Sequence, residues 1–194
     1  MKNEEISFNT KKALAEALKQ AMKEKPFKKI TVSELIGACN VNRKTFYYHF
    51  EDIYALLKWM FEQEAIEVVK QFDLLVDYEE AIAFVLDYID KNDYIINCAY
   101  DSIGRDELKR FFCADFLECI TSIVNRAEVI AGKTLDHSYK DFLCNFYMEA
   151  MAGMLIEWVK DREHRNRDMI TSYISDTLHD SLTGIFDSNR HPAP

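Results

Sequence analysis

Between Ile30 and Phe50 the chain reads ITVSELIGACNVNRKTFYYHF, and its second half sets Arg43, Lys44, Thr45, Tyr47, Tyr48 and His49 within seven residues. This cluster offers fixed positive charge, hydroxyls and aromatic rings with no carboxylate among them. The chain around it carries a formal net charge of −9. A cationic, aromatic segment on an acidic chain calls for a polyanion, and double-stranded DNA fits that chemistry. The Arg43 guanidinium can grip guanine O6 and N7 together, the contact that best distinguishes one base pair from another. Lys44 can reach a base or a phosphate, and Thr45 offers a methyl to thymine or a hydroxyl to phosphate. Contacts to phosphate set register, whereas contacts to base edges read sequence.

Two short helices around a tight turn would hold these groups. Thr31-Val32-Ser33-Glu34 fits a capping box, so a first helix starts at Val32. Val32, Leu35, Ile36 and Cys39 share its apolar face. Asn40 stands where the chain must turn, and asparagine tolerates the left-handed conformation. Val41 can fill the corner, and Asn42 is a good N-cap for the second helix. Phe46 and Phe50 lie four apart and anchor that helix inward, leaving Arg43, Lys44, Tyr47 and Tyr48 to project elsewhere. Asp52 can cap a further helix beginning at Ile53.

Thr31 to Leu57 resembles the DNA-binding module of the TetR family of bacterial transcription regulators. The run Lys29–Ile36 and the run Thr45-Phe46-Tyr47-Tyr48-His49-Phe50 carry the likeness. The family commonly has glycine where this chain has Asn40, and a phosphate-touching lysine where it has Ile53. The resemblance implies a recognition helix in the major groove and phosphate contacts from Tyr47 and His49, with Tyr48 serving either role. Thr31 and Ser33 would hold the flanking backbone. The DNA-facing set is then Thr31, Ser33, Asn42, Arg43, Lys44, Thr45, Tyr47, Tyr48 and His49. A dimer reading two half-sites about one helical turn or a multiple apart is expected, with a near-palindromic operator.

Composition agrees with an all-α fold. Hydrophobic residues make up 48% of 194 positions, with only five glycines and three prolines. Periodic segments suggest about nine helices: a three-helix head over residues 1–52 and a helical effector-binding and dimerisation body over 53–194. The helices are expected near Thr10–Glu24, at the helix-turn-helix pair, and at Ile53–Phe72, Glu79–Lys91, Asp93–Tyr100, Arg105–Ile130, Asp136–Val159 and Arg167–Thr183. The Ile53–Phe72 helix, with Val68 and Val69 in its stripe, would be a continuous rod. Asp101-Ser102-Ile103-Gly104 reads as a break, Gly132 and Gly184 as stops, and His191–Pro194 as a frayed tail. Charge is asymmetric: residues 1–50 hold ten Lys/Arg against five Asp/Glu, and the rest hold fourteen against twenty-eight. This is the pattern of a basic nucleic-acid module joined to an acidic body.

Other functions find little support. Cys39, Cys98, Cys113, Cys119 and Cys144 are odd in number and lack metal or disulfide spacing, which suggests reduced thiols in a cytoplasm. No apolar run reaches the roughly twenty residues that span a membrane, and no secretion signal is evident. The five histidines, His49, His137, His164, His179 and His191, lack partners at metal spacing, and no nucleotide-binding glycine pattern occurs. Glu163–Asp168 reads as a solvated charge run. Neither enzyme activity nor a metal or cofactor is expected.

The family resemblance further implies a homodimer through the last two helices. Ala150, Gly153, Met154 and Trp158 on one, and Ile170, Tyr173, Ile174 and Thr177 on the other, are the expected interface. It also implies a cavity for a small effector in the body, where Phe84, Tyr88, Cys98, Phe112, Phe116, Cys119, Phe142, Phe146, Tyr147 and Met151 crowd together. Leu86–Asn92 and the layout after it are similar to regulators of dihydroxyacetone kinase operons, some of which act through a co-regulator protein. The alternative is an all-helical protein-interaction module, a co-regulator that keeps the fold without binding DNA.

Overall fold

The computed structural model describes residues 2–66, 69, 78–161, 163 and 166–188. Among them are nine α-helices and no strand: α1 (Lys2–Glu24), α2 (Val32–Cys39), α3 (Arg43–His49), α4 (Ile53–Phe61), α5 (Tyr78–Lys91), α6 (Asp93–Ile103), α7 (Arg105–Ala131), α8 (His137–Lys160) and α9 (Arg167–Ser188). They sort into two compact units, one of residues 1–67 and 92–104, the other of residues 68–91 and 105–194.

In the first unit, Leu14, Leu18 and Met22 of α1 are buried with Leu35 of α2, Phe46 of α3 and Leu56, Leu57, Met60 and Phe61 of α4. A 3-10 turn at Phe27–Lys29 follows Pro26 and buries Phe27. Helix α6 belongs to this same unit. Its Ile95, Ile96 and Ala99 are buried, the Cys98 thiol donates to the Lys25 carbonyl at 3.6 Å, and Lys23 lies over the Tyr94 ring. Beyond Phe61 the chain continues as a π turn over Glu62–Ile66. The Lys19–Glu64 ion pair ties that turn to α1, and Ala65 is buried. The continuous rod expected over Ile53–Phe72 is therefore α-helical only to Phe61; residues 67, 68 and 70–72, Val68 among them, lie outside the described residues.

In the second unit the core forms between α7, α8 and α9, where Ile120, Ile123, Val124, Leu143, Cys144, Tyr147, Leu178, Leu182 and Phe186 pack with Leu135. Gly132, at φ +61°, ends α7, with the Lys133 amide reaching back to the Glu128 carbonyl. Glu128 then receives the Leu135 amide at 2.8 Å and the Lys140 ammonium at 2.6 Å. Asp136 caps α8, accepting from the Tyr139 amide at 3.1 Å. Helix α9 is fastened to α5 by Arg167–Asp87 at 2.5 Å and by the fully buried Ser175 hydroxyl donating to Glu79 at 2.9 Å.

Three boundaries differ from those read in the sequence. Helix α1 starts at Lys2, eight residues before Thr10. Asp101–Ile103 stay helical because Ser102 is buried, and only Gly104, at φ +86°, breaks the chain. Gly184 does not stop α9, which runs to Ser188 since Phe186, two residues beyond it, is buried in the core. The tail from 189 onward, and His164 and Arg165 of the charge run, lie outside the described residues; Arg167 of that run pairs with Asp87 and Asp168.

Candidate nucleic-acid interface

The first turn of α2 is fixed by a reciprocal cap. The Glu34 amide donates to the Thr31 hydroxyl at 3.4 Å, and the Thr31 amide donates to the Glu34 carboxylate at 2.9 Å. The carboxylate also pairs with Lys25. That ammonium first, then the Thr31 amide and hydroxyl, pull the Glu34 carboxyl down to about 2. Asn40 closes α2 in the left-handed conformation, at φ 53° and ψ 39°. The Val41 amide reaches the Ile36 carbonyl at 3.1 Å, the six-to-one bond of a Schellman closure. This sharp turn sets the direction of α3.

Asn42 caps α3. Its side-chain oxygen accepts from the Thr45 amide at 2.8 Å and from the Thr45 hydroxyl at 3.1 Å. Phe46 is fully buried and Phe50 nearly so, and the two rings touch. The opposite side of the helix is open: Arg43 and Lys44 are exposed, Tyr47 is 48% exposed and Tyr48 81%. Core packing is thus excluded for both tyrosines. Thr45 and His49 are half-buried. Burial, and next the nearby Lys11, hold the His49 imidazole below its usual range. Arg43 bonds to the Ser33 hydroxyl and the Tyr47 hydroxyl, each at 3.3 Å, and sits over the Tyr47 ring. Those two contacts cross from α3 to α2 and lie beyond any helical periodicity. Asp52 caps α4 through the Ala55 amide at 2.8 Å, with Ile53 as its first residue.

The residues expected around an effector do not gather in one place. Cys98 is in the first unit and the other nine are in the second. Cys119 packs with Phe84, Tyr147 and Met151 belong to the α7–α9 core, and Phe112 meets Phe116. Phe142 and Phe146 are exposed at 61% and 57% and stack on each other. A cavity of about 340 Å³ opens between α7 and α9, lined by Ile123, Ala127, Leu178, Leu182 and Phe186 with His179 and Asp187, none of them among those ten. Of the expected interface residues, Ala150, Met154, Tyr173 and Thr177 are exposed, and Gly153, Ile170 and Ile174 half-buried. Trp158 is buried and its indole donates to Asp90 at 3.3 Å, so it serves the protomer's own core. All five cysteines are free thiols. Among the described residues no cluster of His, Cys, Asp and Glu could hold a metal ion, and no helix is long and apolar enough to cross a membrane.

A capped two-helix unit that turns on a left-handed residue and exposes cationic and aromatic groups on its second helix defines a helix-turn-helix DNA-binding protein. The family description "Bacterial regulatory proteins, tetR family" matches residues 14–60, and "Transcriptional regulator C-terminal region" of the same family matches residues 77–180. The chain belongs to the TetR family of transcriptional regulators. It is 22% identical over 155 residues to the HTH-type dhaKLM operon transcriptional activator DhaS of Lactococcus lactis subsp. lactis (strain IL1403), covering 80% of this chain and 82% of that one. Its fold is similar to a solved dihydroxyacetone kinase operon activator DhaS, with TM-score 0.68, 20% identity and coverage of 90% and 96%. It is also similar to a TetR transcriptional regulator from Streptococcus agalactiae 2603V, with TM-score 0.59, 23% identity and coverage of 92% and 98%.

Proposed function

We propose that this regulator binds a near-palindromic operator as a homodimer, through residues 1–52, and responds to an effector or co-regulator through residues 53–194. The observation that carries the DNA assignment is the open face of α3, with Arg43, Lys44, Tyr47 and Tyr48 accessible while Phe46 and Phe50 pin the other side. Arg43 takes the base-reading role. Lys44, Thr45, Tyr48 and His49 divide base and phosphate contacts, Thr31 and Ser33 meet flanking phosphates, and Asn42 holds the start of α3.

The dimer reading draws support from α8 and α9. Phe142, Phe146, Ala150 and Met154 follow one another at helical spacing, and all are exposed. Met169 and Tyr173 on α9 are exposed at 45% and 60%. Large apolar side chains left open at this spacing suit a second copy's α8 and α9. Phe142 and Phe146 belong with that face in this reading, and Trp158 does not. The effector itself is assigned to the second unit without a defined pocket. The relatives named for dihydroxyacetone kinase operons make an operon of that kind the first target to test.

Selection from random duplexes decides the DNA reading. The protein is expected to enrich a sequence with two-fold symmetry, and the variant Arg43→Ala/Lys44→Ala is expected to enrich none while keeping its melting temperature. Absence of enrichment by the unaltered protein would favour the co-regulator alternative.

A further inference from the structure

We infer that Ser33 and Tyr47 are positioning residues that hold the Arg43 guanidinium for base readout, so that the specificity of the head resides in a three-residue assembly spanning both helices. This rests on the assignment of α3 to DNA. Two hydroxyls from different helices converge on one side chain, each 3.3 Å from a different terminal nitrogen of the guanidinium. The Tyr47 ring lies under the same group, with the guanidinium carbon 5.5 Å from its centroid.

Both supports are themselves fixed. Ser33 sits in the first turn of α2, which the Thr31–Glu34 capping box and Lys25 lock. Tyr47 stands one turn along α3 from Arg43, its ring edge-on to the fully buried Phe46 at 5.4 Å. Groups that orient a recognition side chain work only when their own rotamers are held in this way. An arginine free in solvent would give up its rotamer freedom on meeting DNA; here part of that loss has already occurred on folding.

The chemistry of the supports matters as much as their placement. A carboxylate would hold Arg43 more strongly but would cancel its charge. Ser33 and Tyr47 are neutral acceptors, so the guanidinium is oriented with its charge intact. Of its five N–H groups, two are directed to the hydroxyls, and guanine O6 and N7 need only two of those that remain. Each hydroxyl, while accepting from Arg43, keeps its own proton to donate to a phosphate oxygen. The same two residues can therefore grip the backbone and aim the base-reading group, coupling register to readout.

The test uses the full-length protein and the operator obtained by selection. The guanine whose preference is relaxed by Arg43→Ala is located first. Affinity for the operator is then divided by affinity for the duplex with that guanine replaced, at one salt concentration. Ser33→Ala combined with Tyr47→Phe is expected to lower this ratio roughly tenfold. Arg43→Lys, which keeps the charge and loses the fork, is expected to lower it similarly. In the Arg43→Ala background the hydroxyl substitutions should leave the ratio where that variant set it. The inference is overturned if removing both hydroxyls weakens binding to the two duplexes by the same factor, which is the behaviour of phosphate contacts alone. If Arg43→Ala relaxes no position at all, the base-reading role of Arg43 fails first, and that outcome is seen before either hydroxyl is altered.

Discussion

Glu34 is tied to three donors while remaining on the surface, and its carboxyl titrates about 2 against an ordinary 4.5. A carboxyl depressed on folding stabilises the head above the ordinary value and loses that contribution as pH falls through the folded one. The melting temperature of the protein should therefore converge on that of Glu34→Gln as pH is lowered from 4.5 toward 2. Thr31→Ala removes the other half of the cap and should cost about 1 kcal/mol, measured by denaturant unfolding at neutral pH. His49 titrates in the opposite sense. Its imidazole is harder to protonate in the folded head than in the unfolded chain, where the value is near 6.5. The contribution of His49 is thus complete above that value and declines as pH drops below it. A DNA phosphate beside the ring would favour the imidazolium, so operator binding should take up a proton and tighten between pH 7.5 and 6. In His49→Gln that pH dependence should disappear, and a dependence unchanged in the variant would remove His49 from the interface.

Helix α8 shows where periodicity stops being informative. Apolar side chains occur on several of its faces, and an all-round apolar helix does not reveal which face meets the core. The structure separates them: Leu143, Cys144, Tyr147, Ala152 and Trp158 are buried, and Phe142 and Phe146 are open. Local signals were readable where the interaction is local. The cap at Thr31, the left-handed Asn40, the cap at Asn42 and the stop at Gly132 each depend on residues within one turn. The continuation of α9 past Gly184 depends on Phe186 reaching a distant core, which propensity does not encode. The contacts from Ser33 and Tyr47 to Arg43 were unreadable for the same reason. Gly153 provides a test of the open face, since a methyl added there meets nothing within 4 Å in the protomer. Gly153→Ala should stabilise an isolated protomer, made by Phe146→Asp, by up to about 1 kcal/mol. In the otherwise unaltered protein it should weaken self-association in sedimentation experiments. Equal association with glycine and alanine would place Gly153 outside the interface.

At the scale of the whole chain, the excess of positive charge over residues 1–50 and of negative charge beyond them sets a constraint on DNA binding. Acidic residues outside the head disfavour loose, non-specific adsorption, so binding relies on the few cations of the head. Each phosphate neutralised releases condensed counterions, and the salt dependence counts them. Lys44→Ala should reduce the slope of log affinity against log salt by about 2 for a dimer, one for each head. A slope unchanged by that substitution would place Lys44 on a base edge or away from the duplex. The membership in the family was readable from some twenty residues, whereas the role of the remaining body was not, because its helices share only length and order with the family.

The π turn over Glu62–Ile66 has an evolutionary and experimental corollary. A wide turn of this kind is a helix carrying one surplus residue, and removing that residue returns the ordinary winding. The loss would rotate whatever follows on that helix by about 100°, taking Glu64 away from Lys19 and Ala65 out of the packed interior. A chain shortened by one position here should thus be harmed far more than one shortened in a surface loop, and insertions or deletions among relatives should avoid this spot.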